Sequence, residues 1–474
     1  MPDKFGIYLG GKWVERKETT KVVSPYDGKV VGEVAMATKA DFTKAIEIAD
    51  KTFALTRELP SYVREGACKA IADGLKKSFD KFSKTMSLEV GKAIRDSEIE
   101  VNRAIQVFTI AAEEAKRIGG EIMDLDWIPG NEKRMGLIRR FPIGVIAGIS
   151  PFNFPLNLVA HKVAPAMASG NCMVLKPAPK TPLMAMMLAE LIDKTEYPKG
   201  AVSVMLGSNE NLEPLIKDER VKLITFTGSD KVGWMIKEKA GKKKVVLELG
   251  GNAGVIVADD AELDYATDRI VKGAFGQAGQ SCISVQRIFV QQDFYEKFMK
   301  MFVEKTKKLK IGDPLDRKTD IGTMVSELAV KNTAEMVNQA KKEGAKIHTG
   351  GTADGGFYQP TIITNVKSTM DVCSKEAFAP IATVEKYKTF EQAVEKINDS
   401  EFGLQAGVFT NRLKDVFYAF NHIDAGGIVV NDVPTFRADQ QPYGGVKNSG
   451  LGREGIRFTI EDMTELKILS MNLK

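Results

Sequence analysis

Histidine and cysteine are scarce in this chain: three of the first (His161, His348, His422) and four of the second (Cys68, Cys172, Cys282, Cys373) are spread through 474 residues. No HExxH or similar pattern gathers the histidines, so metal-dependent hydrolysis and histidine-based acid/base chemistry are disfavoured and no metal site is expected. The cysteines show no paired spacing, which argues against a zinc site or a disulfide framework and for a reducing, cytoplasmic compartment. No apolar run approaches the ~20 residues that span a bilayer, and Met1-Pro-Asp-Lys-Phe-Gly-Ile-Tyr-Leu lacks the apolar stretch of a secretion signal. No membrane partner is therefore expected. Charge of one sign is lacking too: 67 basic against 62 acidic residues leave a net +5, and the lysines are scattered, which speaks against a nucleic-acid partner.

What remains is an ordinary folded composition, 43% hydrophobic and 27% charged, in a chain too long for one core. Thr38 can cap a helix whose apolar residues Phe42, Ala45, Ile46, Ala49 and Phe53 recur at three- and four-residue steps. Further amphipathic segments cover 61–80 and 97–117. From Gly144 the pattern becomes short apolar runs alternating with helical segments: Gly144–Ile149, Cys172–Lys176, Val202–Leu206, Leu223–Phe226 and Val245–Leu249. One intervening helix is expected to start with Thr181 as N-cap and Pro182 in its first turn. Continuous apolar strands separated by helices predict an α/β, doubly wound parallel sheet with ligands at the strands' carboxyl ends.

A second alternating stretch runs from Gly254 to about 440, so the change at Gly250-Gly251 is read as a domain boundary. Residues 120–142 alternate polar and apolar like a hairpin. With the C-terminal tail they are expected to cover an edge against another subunit, giving a homodimer or homotetramer.

Three residues have the chemistry of a reaction centre. Cys282 lies in the small, polar run Phe275-Gly-Gln-Ala-Gly-Gln-Ser-Cys, where backbone can approach a ligand; a lone cysteine is more often a buried bystander, which suits Cys68 and Cys172. Glu248 ends the apolar run Val245-Val-Leu-Glu, so it is either a structural ion-pair member or a general base. Asn153, fixed between Pro151 and Pro155, can aim its amide at an oxyanion or hydrogen-bond its own turn. Lys176 at a strand end and Thr227-Gly228-Ser229 before a helix suit ribose hydroxyls and a pyrophosphate, although a snorkelling lysine and an ordinary helix start explain them almost as well.

In this order, Pro151-Phe-Asn-Phe-Pro155, Lys176-Pro-Ala, Phe226-Thr-Gly-Ser229, Glu248-Leu-Gly-Gly251, Gly279-Gln-Ser-Cys282, Glu376-Ala-Phe-Ala-Pro380 and Tyr443-Gly-Gly-Val-Lys-Asn-Ser-Gly-Leu-Gly-Arg-Glu-Gly455 resemble the aldehyde dehydrogenase superfamily. The resemblance implies a dinucleotide-binding domain (1–119 and 143–250), a catalytic domain (251–448) and an oligomerisation hairpin and tail (120–142 and 449–474). It implies Cys282 as nucleophile, Glu248 as general base and Asn153 as oxyanion donor. Lys162 and Glu454 match a proton exit path. Lys176 and Glu376 match residues that hold ribose hydroxyls, Phe378 the one on the nicotinamide side and Ser229 one near the pyrophosphate, with Phe152, Gly228, Pro179 and Lys180 as further cofactor-binding residues. The implied reaction converts a small-molecule aldehyde to a carboxylic acid through a cysteine thiohemiacetal and thioester.

Departures from the family pattern bear on cofactor and substrate. Pro179 stands where NAD-specific members usually carry a glutamate, and Lys180 follows it, so NADP is expected to be accepted and slightly favoured over NAD. Alanine replaces a common glycine in Glu376-Ala-Phe-Ala, without effect on the chemistry. Arg103 resembles a phosphate-contacting residue of non-phosphorylating glyceraldehyde-3-phosphate dehydrogenases. His161 stands where relatives acting on carboxylate- or hydroxyl-bearing aldehydes often place arginine, and Ser281 where phosphate-binding relatives do, so lactaldehyde-type, glyceraldehyde-3-phosphate-type and broad-specificity activities stay open. The rivals are a coenzyme-A-acylating semialdehyde dehydrogenase, against which Glu248 argues, a cysteine hydrolase, which lacks an orienting histidine, and a non-catalytic homologue, which would not need to keep both Cys282 and Glu248.

Overall fold

The computed structural model describes residues 3–473. Five apolar runs form parallel neighbours because each is buried on both faces. Their order across the sheet is Lys244–Glu248, Val221–Thr227, Val145–Ile149, Cys172–Lys176, Val202–Val204; Gly450–Leu451 extends one edge, and Ile7–Leu9 with Lys12–Val14 the other, making eight strands. The chain winds away from Val145–Ile149 on one side and returns to its other side at Val221–Thr227. The carboxyl ends of those two strands flank the topological switch point, the place where such sheets bind ligands.

Helices cover this sheet. Lys39–Thr56 starts with a full capping box: the Thr38 hydroxyl accepts from the Asp41 N–H, and the Asp41 carboxylate accepts from the Thr38 N–H. Leu183–Asp193 starts differently from the expectation that Thr181 caps it. The Thr181 hydroxyl instead donates to the Phe152 carbonyl (3.1 Å), and the helix's first N–H groups at Leu183 and Met184 donate to the buried Glu89 carboxylate (3.0 and 3.3 Å). A carboxyl group from another helix thus replaces the local cap, and Thr181 is left to brace the loop that carries Asn153.

A second, seven-stranded sheet begins beyond Gly250-Gly251, in the order Lys346–Thr349, Thr361–Thr364, Ile381–Tyr387, Val285–Gln291, Ala253–Val257, Gln405–Phe409, Gly427–Val430. It has its own apolar core, built on residues such as Ile270, Phe275, Phe298 and Phe302. The hairpin strands Gly120–Asp124 and Arg134–Pro142 pair antiparallel, and Thr464–Asn472 joins them as a third strand. The tail read as 449–474 therefore divides. Gly450–Leu451 belongs to the eight-stranded sheet, and the helix Ile456–Asp462 buries Ile456 and Ile460 in that sheet's core. Among the described residues no helix is long and apolar enough to cross a membrane.

Candidate active site

Cys282 follows the helix Leu263–Phe275 on a short irregular loop, and of the four cysteines it alone is not fully buried. Two consecutive non-glycine residues of that loop, Gln277 and Ala278, have φ of 53°, a left-handed conformation that costs energy unless its surroundings impose it. Here the Gln277 amide is fastened to the Asn153 carbonyl, and the Gln280 carbonyl accepts from the Asn153 side-chain amide at 3.0 Å. The asparagine and cysteine loops are thereby locked together. One of the two Asn153 amide protons is committed to this lock, which leaves the other for a ligand; the Cys282 N–H has no partner among the described residues. On the opposite side Gly251 fits so closely that a Cβ there would lie 2.1 Å from the Cys282 carbonyl oxygen.

Behind Asn153 lies a charge pair that the sequence reading passed over. Lys92 and Glu100, each 1% exposed, form an ion pair; Lys92 also reaches the Asn153 carbonyl (3.4 Å). The other Glu100 oxygen accepts from the N–H groups of Leu156 and Asn157 (2.9 and 3.0 Å). The whole Pro151–Pro155 loop is thus held from beneath. Glu100 was detectable in principle, because it shares the apolar stripe of its helix with Ser97, Val101, Ala104 and Val107.

Glu248 ends its strand 3% exposed, and neither carboxylate oxygen has a hydrogen-bond partner. Burial, then repulsion from Glu454, pushes its pKa well above the usual carboxylate range. Glu454 is also buried, but Lys162 and Arg437 outweigh that burial and keep it ionised. Lys162 donates to Glu454 (3.1 Å), Thr225 (3.0 Å) and Thr227 (2.8 Å), so it and Glu454 form one connected polar path behind Glu248.

Lys162 and Glu454 open onto a larger network. Arg437 donates to Glu454 (3.1 Å) and lies 3.4 Å from His161 Nδ1; His161 Nε2 meets Asp439 (2.9 Å), and Asp439 pairs with Arg103 (2.6 Å). Two candidate substrate residues, His161 and Arg103, are part of this network. His161 is fully buried, its pKa is lowered by burial and by Arg437, and both ring nitrogens are engaged, while the Arg103 charge is matched by Asp439. Ser281 is half-buried beside the thiol. Arg437, Asp439 and Tyr443 were not singled out: they sit in an irregular segment without periodicity, and their partners His161, Arg103 and Cys282 are 276, 336 and 161 positions away. The Arg437 guanidinium lies 3.7 Å from the centroid of the Tyr443 ring, whose hydroxyl is 3.4 Å from Cys282 Sγ.

At the switch point, Lys176 ends its strand 4% exposed with no carboxylate partner among the described residues, and burial pushes it down to about 8. Glu376 accepts from the Gly251 N–H (2.9 Å), and burial pushes it up to about 7. Phe152 and Phe378 meet edge to face with centroids 5.7 Å apart. Ser229 is the N-cap residue of Asp230–Lys239, an end that no side chain caps, with Gly228 just before it. Pro179 and Lys180 are exposed beyond Lys176. A buried lysine, a carboxyl group and an open helix N-terminus near the carboxyl ends of strands of one sheet fit the ribose hydroxyls and pyrophosphate of a dinucleotide.

Comparison with known proteins agrees with this architecture. The aldehyde dehydrogenase family model matches residues 13–469. A 3-sulfolactaldehyde dehydrogenase of Priestia aryabhattai is 44% identical over 99% of this chain and 98% of its own length. Aldehyde dehydrogenase 21 of Physcomitrella patens, solved with the reaction product succinate, superposes with a TM-score of 0.98 at 43% identity, covering 100% of this chain and 99% of that one. A glyceraldehyde-3-phosphate dehydrogenase of Methanocaldococcus jannaschii, complexed with NADP, has a TM-score of 0.93 at 36% identity over 97% of this chain and 100% of that one. The chain belongs to the aldehyde dehydrogenase family, and it is an enzyme that oxidises an aldehyde with NAD or NADP.

Proposed function

We propose that the enzyme oxidises a small aldehyde with an anionic far end, a sulfonate or carboxylate, to the corresponding acid, with Cys282 as covalent nucleophile. The observation that carries the substrate class is charge. Behind the thiol, the buried cations Lys162 and Arg437 share a single ion-pair partner, Glu454. Arg437 is the nearest of these cations to Cys282, and its Nε has no partner. An anion placed there offsets a charge that is otherwise costly to bury. The sulfolactaldehyde and succinate of the two relatives above have such ends.

In this reading the Cys282 thiolate attacks the aldehyde carbon, and the carbonyl π pair moves to oxygen. The alkoxide is met by the second Asn153 amide proton and the Cys282 N–H, donors already locked in place. NAD or NADP, when bound along Lys176, Ser229, Glu376 and the Phe152–Phe378 pair, supplies the hydride acceptor that leaves a thioester on Cys282. Glu248 then takes the proton of an attacking water, and Glu454 and Lys162 carry it away from the buried site. Lys180, with no carboxylate at Pro179 to repel a 2′-phosphate, supports NADP as the slightly favoured partner.

The sheet of Gly120–Asp124, Arg134–Pro142 and Thr464–Asn472 leaves Ile122, Leu466 and Ile468 exposed, and its hairpin loop leaves Trp127 exposed, which supports pairing with a second copy. Four free thiols support a reducing compartment, the cytoplasm. The test is NAD(P)H formation across aldehydes matched in size with and without an anionic end. Anionic members are expected to have the higher kcat/KM, and Arg437→Gln to raise their KM selectively. Equal use of neutral and anionic aldehydes would refute the substrate assignment.

A further inference from the structure

Tyr443 is the buried polar group nearest the sulfur that the reaction scheme above does not use. Its ring is 4% exposed, and its backbone is tied on both sides to Glu454 by N–H to carbonyl bonds. A buried phenol needs a partner, and among the described residues its hydroxyl has one alone: Cys282 Sγ, at 3.4 Å. The Arg437 guanidinium covers the ring face at 3.7 Å from its centroid, and a cation there draws electron density from the phenol and strengthens its O–H as a donor. Next in sequence, Gly444 approaches Glu248 so closely that a Cβ would lie 2.9 Å from its Oε1. One short segment therefore touches both the thiol and the base.

We infer that Tyr443 is a further catalytic residue, whose hydroxyl donates a hydrogen bond to the Cys282 thiolate both before attack and as the thioester breaks. The inference rests on Cys282 being the nucleophile. In the first step the thiol proton leaves to water and the sulfur lone pair accepts the Tyr443 O–H bond. In the last, the C–S bond breaks, its electron pair stays on sulfur, and the same O–H receives it; Tyr443 itself is never deprotonated. Burial keeps the phenol protonated far above neutral pH, which fixes it as the donor. Burial also pushes the thiol up to about 12, against which the hydroxyl acts. The other ionisable groups facing the thiol are Glu376 and Glu248, which disfavour the thiolate, and Arg437, which favours it.

The test is the pH dependence of iodoacetamide alkylation at Cys282, followed by peptide mapping, in wild type and Tyr443→Phe. Both enzymes keep Glu248, Glu376 and Arg437, so the comparison isolates one hydroxyl. Loss of the bond is expected to move the alkylation midpoint up by about one pH unit, a tenfold loss of thiolate below it. The rate at fixed neutral pH should fall by only about threefold, because a more basic thiolate is also more nucleophilic. NADP affinity should not change. Site-specific 3-fluorotyrosine at 443, a stronger donor of nearly the same shape, should move the midpoint the other way, and this arm stands even if the phenylalanine variant packs poorly. Superimposable profiles in either comparison overturn the inference. Failure of wild type to oxidise any aldehyde, measured alongside, instead refutes the nucleophile reading on which it rests.

Discussion

Replacing Glu248 by glutamine separates the two halves of the reaction with little structural disturbance. Both carboxylate oxygens lack partners, so the substitution removes no hydrogen bond and keeps the volume. Burial and Glu454 raise the pKa of the native carboxyl well above the usual carboxylate range, whereas in the unfolded chain it ionises above about 4.3. A folded pKa raised above the unfolded one means the native state binds more protons between the two values, so this group's contribution to stability falls as pH rises through that window. Glu248→Gln should therefore melt no lower than wild type, with an advantage that widens as pH rises above about 4.3. Its effect on turnover should be the reverse. A general base contributes roughly 10²–10⁴ in rate, and its loss falls on thioester hydrolysis alone. Rapid mixing with aldehyde and NADP should give a burst of about one NADPH per subunit, as expected when acylation outruns deacylation, then a steady state slowed by that factor. Steady turnover at the wild-type rate, or no burst at all, would refute the assignment of Glu248 to the second half.

Two further outcomes are expected. Lys92→Met leaves the buried Glu100 carboxylate without its cation and should cost about 3–5 kcal/mol, read as a lower urea midpoint with an unchanged slope. Pro179→Glu places a carboxylate beside the exposed Lys180 and should lower kcat/KM for NADP by about tenfold or more while sparing NAD, measured from initial rates with each cofactor.

Most of the nucleotide-binding sheet was readable because parallel strands buried on both faces appear as unbroken apolar runs: Cys172–Lys176 matches its run to the residue, and Val145–Ile149 differs by one. The same uniformity hides a change of sheet. The run Val202–Leu206 splits after Val204, and Leu206–Gly207 pairs with Val30–Ala37 elsewhere. Local chemistry succeeded at Thr38, whose partner is three residues away, and failed at Thr181, where Glu89 from another helix takes the capping role. Glu248 and Lys176 were legible as candidates because each ends an apolar strand. Arg437 and Asp439 were not, because what defines them is contact across the chain: Arg103 and Asp439 are 336 positions apart, and neither lies in a pattern that points to the other.

The central claim is that the substrate carbon becomes bonded to the sulfur of Cys282. Its most direct test is acid quenching of Glu248→Gln after mixing with aldehyde and NADP, followed by mass spectrometry of the peptides. The predicted result is an acyl adduct on the Cys282 peptide in an amount matching the NADPH burst. NADPH formation with Cys282 unmodified, or an adduct on Cys68, Cys172 or Cys373 instead, would contradict the account.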